Sequence, residues 1–161
     1  MIPLKFFNKS EKEKLLEQLE EQFGITEIPW KIAHLGKERI VLFSGDLSEN
    51  EIFQIDDIAR IEGVGIYFAK IDENTGDIRL SIEGTQLLKE QITKNIFELN
   101  AEQAEQWMLG QELNIATGKR GFLIMKFGKD FLGTGKASEN KIGNFVPKSR
   151  RLKYKENKIK E

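Results

Sequence analysis

The sequence predicts an α+β fold built from two units, and three observations carry this. Helix-like and strand-like segments alternate from residue 10 to residue 109, whereas from Gly121 onward the pattern is β throughout. The 161 residues are enough for one compact domain or two small ones. Charge is divided along the chain: residues 117–161 hold thirteen Lys/Arg against four Asp/Glu, and residues 1–116 hold twelve against twenty-two. The expected organisation is an N-terminal α/β domain over residues 1–78, a mostly β domain over 79–152 and a basic tail over 153–161.

The first helix is signalled by the capping box Ser10-Glu11-Lys12-Glu13, by Leu15, Leu16, Leu19 and Phe23 at helical spacing, and by Gly24 as its stop. Ile28–Leu35 and Arg39–Phe43 read as a hairpin turning near Gly36. Ser48-Glu49-Asn50-Glu51 opens a second helix whose apolar face is Ile52, Ile55 and Ile58. Gly63–Lys70 and Ile78–Ile82 are strands around the turn Asn74-Thr75-Gly76-Asp77. Thr85–Ile92 is a short helix and Asn95–Leu99 a strand. Asn100 caps a helix over Ala101–Leu109 that ends at Gly110. Gly121–Phe127, Phe131–Ala137 and Ile142–Val146 are strands, and Pro147 ends the last.

Composition excludes several classes of chemistry. The chain has no cysteine, so disulfides, thiolate metal sites and cysteine nucleophiles are absent from this sequence. It has one histidine, His34, expected to be an ordinary surface or half-buried residue near a strand end. No apolar run approaches the roughly 20 residues of a membrane span, and the first residues lack the pattern of a signal peptide. A cytoplasmic protein without a cofactor or metal is the expectation. Asp56-Asp57 are neighbours on a helix and point in different directions, a poor acid/base couple.

Two glycine motifs tempt a nucleotide reading. Gly133-Thr134-Gly135-Lys136-Ala137-Ser138 resembles part of a phosphate loop, but Asp130 stands where its first glycine belongs and Ala137 replaces its hydroxyl residue. Gly63-Val64-Gly65 precedes a strand instead of following one. The glycines at 133 and 135 fit a strand that permits close backbone approach. A basic constellation surrounds them: Lys119-Arg120, Lys136, Lys141 and the run Lys148, Arg150, Arg151, Lys153 and Lys155. Such residues neutralise phosphates and supply salt-sensitive RNA affinity. Trp107, Phe127 and Phe145 are candidate stacking partners, although Phe127 and Phe145, as strand aromatics, fit the core better.

The stretch from Arg79 to Ser138, ending in the glycine-spaced strand, resembles the PUA domain, and its layout is similar to that of the two-domain ribosome-assembly factors of the Nip family. The segment Asn140-Lys141-Ile142-Gly143-Asn144-Phe145-Val146-Pro147-Lys148-Ser149-Arg150-Arg151-Leu152 resembles the end of the PUA-like domain of the Nol/Nop/Sun (Fmu-type) RNA cytosine methyltransferases, and most of all their stand-alone ribosome-biogenesis relatives. The resemblance implies that the second domain is a PUA-like β pseudobarrel. It also implies RNA binding through Trp107, Gly110, Lys119, Arg120, Gly133, Gly135, Lys136, Ser138, Asn144, Lys148, Arg150 and Arg151. Those methyltransferases use cysteine in catalysis, which this sequence lacks.

The resulting expectation is a non-catalytic RNA-binding protein of rRNA or tRNA modification or ribosome assembly. Its partners would be structured RNA and a methyltransferase or ribosome-assembly protein, and no membrane. The alternative is an interaction adaptor whose acidic N-terminal domain binds a basic partner. A third reading, an enzyme using His34, requires a pocket that holds His34 and a carboxylate.

Overall fold

A computed structural model describes residues 3–59, 61 and 63–153 of the chain. The chain divides into two compact units, 1–94 and 95–161. The boundary therefore lies at Lys94/Asn95 and not at 78/79. The reason is strand pairing: Ile78–Leu80 is hydrogen-bonded to the strand before it, which holds it in the first unit.

The first unit is a five-stranded sheet in the order β1 (Leu4–Phe6), β2 (Lys31–Leu35), β3 (Arg39–Phe43), β4 (Ile66–Ile71) and β5 (Ile78–Leu80). Every neighbouring pair is antiparallel. The expected α/β unit is thus an antiparallel sheet with helices: short turns join β2 to β3 and β4 to β5, while helices lie in the longer connections. Helix α1 (Lys9–Phe23) buries Leu15, Leu19 and Phe23 and ends at Gly24, whose φ of 87° is left-handed. Its capping box is formed by Asn8 and Glu11, two residues before the expected Ser10. Asn8 wins because its extended backbone lets its side chain accept from the Glu11 amide while Glu11 returns the bond. Gln22 of α1 pairs both ways with the backbone of β5, donating to the Ile78 carbonyl at 3.0 Å and accepting from its amide at 2.7 Å. The side-chain amide thereby satisfies groups that an edge strand otherwise leaves open.

Helix α2 (Glu49–Ile58) starts at Ser48, as its capping signal predicts. Of its apolar residues only Ile52 is buried, in a cluster with Leu4, Ala33 and Val41. Ile55 and Ile58 are exposed, so of the apolar face read from the sequence only Ile52 reaches the core. Helix α3 (Ile82–Leu87) begins three residues earlier than expected, because Ser81 caps it by accepting from the Gly84 amide. A 3-10 turn at Lys89–Gln91 follows.

The second unit has a four-stranded sheet in the order β6 (Ile96–Glu98), β7 (Gly121–Phe127), β8 (Asp130–Ala137) and β9 (Ile142–Gly143). β6 runs parallel to β7; the other pairs are antiparallel. A parallel neighbour needs a crossover, and helix α4 (Ala101–Met108) lies in that connection. Asn100 and Gln103 form its capping box, as predicted for Asn100. β9 has two residues, shorter than the expected Ile142–Val146; beyond it the Val146 amide donates to the Asn144 side chain at 2.8 Å and not to a neighbouring strand. The described residues include Lys153 of the expected basic tail; residues 154–161 lie outside them. No helix among the described residues is long and apolar enough to cross a membrane.

Candidate nucleic-acid interface

The predicted site residues separate into a structural set and a surface set. Trp107 belongs to the first. It is fully buried, and its indole N–H donates to the Leu132 carbonyl at 2.8 Å. A ring so enclosed cannot stack on a base, which corrects its expected role. Gly135 packs against it: a Cβ there would collide with Ile142 and with the Trp107 ring. Gly133 is buried as well. Gly135 serves the packing of Trp107 against the sheet, and Gly133 supplies a left-handed φ of 86°. This is the close-approach reading of the glycine-spaced strand, with an indole as the approaching group.

The end of α4 is fastened by three more predicted residues. Asn144 donates through Nδ2 to the carbonyls of Trp107 and Gln111, both at 2.9 Å. Gly110 has a φ of 87°, and Arg151 lies over it while donating from Nε to the Val146 carbonyl at 2.9 Å. Leu152 donates its amide to the Met108 carbonyl at 2.7 Å. Ser138 closes the β8–β9 turn through its amide and hydroxyl to the Lys141 carbonyl. These residues shape the surface from beneath.

The surface set is cationic. Lys119, Arg120, Lys136, Lys148 and Arg150 are all exposed. Lys119 and Arg120 sit in the turn entering β7, where the Lys119 amide bonds the Thr117 hydroxyl at 3.1 Å. Lys148 and Arg150 stand on a 3-10 turn after Pro147. Lys141 and Lys126 pair with Glu112 at 2.9 Å and Glu98 at 3.5 Å, which reduces their share of the positive field.

Aromatic residues complete this surface, and they are not the one the sequence singled out. Phe122, Lys136 and Gly143 are cross-strand partners in one row over β7, β8 and β9. The Lys136 ammonium lies 5.8 Å from the Phe122 ring centroid. The Phe145 ring meets Phe122 edge-on at 6.2 Å. Phe145 and Phe127 are 40% and 39% exposed, so neither is the core residue that strand aromatics usually are. Asn144 is held inward against the end of α4, whereas its neighbour Phe145 lies at the surface. Phe122 and Gly143 escaped the sequence reading because their significance lies in the β7–β8–β9 register.

The first unit holds a shallow depression of about 320 Å³ lined by Phe7, Glu11, Lys14, Gln18 and His34 among others. The pocket that a catalytic reading requires is therefore present. Its two acid–base groups are engaged: His34 Nε2 is 3.1 Å from Glu11 Oε2, and the imidazole stacks on Phe7 at 4.0 Å. The Asn8 amide, donating to Glu11, holds that carboxyl below its ordinary range, with His34 and Lys5 adding to the effect against a smaller opposing cost of burial. The pair ties β2 to the start of α1.

A small mixed sheet wedged by a buried tryptophan and edged with lysine, arginine and phenylalanine is the build of a compact binding domain. Residues 94–152 match the family described as Methyltransferase RsmF PUA domain. The matched stretch, which lies almost wholly within the second unit, is similar to the PUA domains at the C-termini of the Sun/Fmu methyltransferases. No curated protein matches the chain.

Proposed function

We propose that this chain is a non-catalytic RNA-binding protein that acts in rRNA or tRNA modification or in ribosome assembly. Its second unit docks structured RNA on the surface bearing Lys119, Arg120, Lys136, Lys148 and Arg150. The observation that carries the reading is the match of residues 94–152 to the PUA domain of an RNA methyltransferase. The gathering of exposed cations in that same stretch supports it. The first unit, in which Asp and Glu outnumber Lys and Arg by eighteen to twelve, limits indiscriminate attachment to polyanions. No catalytic step is assigned to these residues; a methyltransferase partner would supply the chemistry. The test is RNA binding by the full chain across a salt series. A steep decline of affinity with salt is expected, and wild-type protein that fails to bind rRNA or tRNA fragments at low salt would overturn the reading.

One observation favours a second reading, that of an adaptor. Leu47, Phe53, Ile55 and Ile58 are exposed, with Ile58 at 89%. Residues 46–59 contain five acids (Asp46, Glu49, Glu51, Asp56 and Asp57) and no Lys or Arg. An apolar helix surface set among carboxylates complements a basic, apolar-anchored protein segment.

A further inference from the structure

We propose that Phe145, with Phe122 and Lys136, forms a seat on which one unpaired RNA base stacks, so that the second unit selects RNA offering a loop, bulge or free end over a continuous duplex. This rests on the RNA-binding reading and names the class of RNA which that surface takes.

Three features of the row argue for a seat. The first is an exposed ring with an oriented neighbour. Phe145 leaves 40% of its surface to solvent, and Phe122 meets it edge-on at 66° between ring planes. Edge-to-face contact fixes a ring's orientation. The second is charge at the right place. The Lys136 ammonium stands above Phe122, and Lys148 and Arg150 follow Phe145 by three and five residues on the 3-10 turn. A stacked nucleotide carries its base to the ring and its phosphates to such cations.

The third feature is Gly143. It is the cross-strand partner of Lys136, and a Cβ there would make only ordinary contacts, 3.7 Å from the Lys136 carbonyl oxygen and 4.0 Å from its Cβ. Packing does not require glycine at this position, nor does a left-handed φ. What its missing side chain does is keep the row open beside Phe145. Phe127, another exposed ring of the second unit, lacks this setting: its cross-strand partner is Asp130, whose carboxylate repels a phosphate.

The preference over duplex follows from A-form geometry. Paired bases are already stacked, and the deep, narrow major groove excludes side chains. A phenylalanine exposed beside the sheet reaches the face of a base that has left its stack and not that of a base held inside a duplex.

The experiment compares the full chain and its variants for binding a fluorescently labelled RNA stem-loop and a blunt duplex of equal length. A 2-aminopurine in the loop reports stacking. Wild type should bind the stem-loop more tightly and change the 2-aminopurine emission. Phe145→Leu should weaken stem-loop affinity about tenfold, the effect of removing one ring from beneath one base, with duplex affinity unchanged. Phe145→Trp should retain binding. Gly143→Leu should fold with an unaltered melting temperature, since a Cβ there makes only ordinary contacts, yet lose stem-loop affinity because it fills the opening. If Phe145→Leu and Gly143→Leu both bind the stem-loop as wild type does, the seat is overturned and RNA binding stands. If wild type binds neither RNA at low salt, the RNA-binding reading itself fails.

Discussion

Arg151 reaches back across the end of α4, covers Gly110 and donates from Nε to the Val146 carbonyl at 2.9 Å. An arginine expected to hold phosphate is thereby committed to joining the C-terminal segment to the helix. Gly110 is needed twice over, for its left-handed φ of 87° and for the room the guanidinium occupies.

Gly110→Ala is expected to destabilise the second unit by about 2 kcal/mol through backbone strain, with a further cost from displacing Arg151. Arg151→Ala alone should cost about 1 kcal/mol for the broken hydrogen bond. The double variant should cost less than the sum of the two, since the collision exists only when both side chains are present. Urea denaturation midpoints of the three variants check this, and strict additivity would contradict the contact.

Trp107→Phe should destabilise by about 2 kcal/mol, from the reduced volume and the orphaned Leu132 carbonyl. RNA affinity of the folded variant should not change, because the indole is enclosed. A variant that folds as wild type but loses RNA would return Trp107 to the interface.

Replacing Lys119, Arg120 and Lys148 together by Gln should weaken binding of every RNA to a similar degree. It should also reduce the slope of log affinity against log salt by roughly 0.7–0.9 for each phosphate no longer neutralised. The melting temperature should hold, as the three residues are exposed. An unchanged slope would place the phosphates elsewhere.

Glu11 makes the first unit sensitive to acid. Its folded pKa is depressed, chiefly by the Asn8 amide, so its contribution to stability is present in full above the unfolded value, about 4.3 for Glu, and is lost as pH falls through the lower folded value. Thermal melts between neutral pH and pH 3 should show a decline at the acid end. Glu11→Gln should make that decline shallower, and an identical pH profile would exclude this carboxylate as a contributor.

Ile55→Ser and Ile58→Ser together should change stability by less than about 1 kcal/mol, since both residues are exposed. If α2 is a docking surface, the same pair abolishes binding of a basic apolar partner that survives nuclease treatment. A large loss of stability in melts would show instead that α2 depends on these residues for its own packing.

Local rules carried much of the fold into view. Gly24, Ser48, Asn100 and Gly110 end or begin helices where the capping and glycine signals put them. The hairpin at Gly36 and the strands over Arg39–Phe43 and Gly121–Phe127 follow from alternation and turn chemistry. These features depend on residues a few positions apart, so the chain itself encodes them. The unit boundary was not legible. Ile78–Leu80 reads as a strand in either unit, and only its hydrogen bonds to β4 and to Gln22 assign it.

The exchange of roles between Trp107 and Phe145 shows the same limit at the site. By sequence alone, this chain determined that its cations collect after residue 117, that it has no cysteine, and that a glycine-spaced strand lies among those cations. Tertiary structure decided which aromatic ring meets solvent. Trp107 is enclosed because Gly135 admits its ring and the Leu132 carbonyl accepts its N–H. Phe145 lies at the surface, whereas Asn144, one residue earlier, is held inward against the end of α4. Burial depends on what arrives from distant parts of the chain, and no local pattern of residues records that.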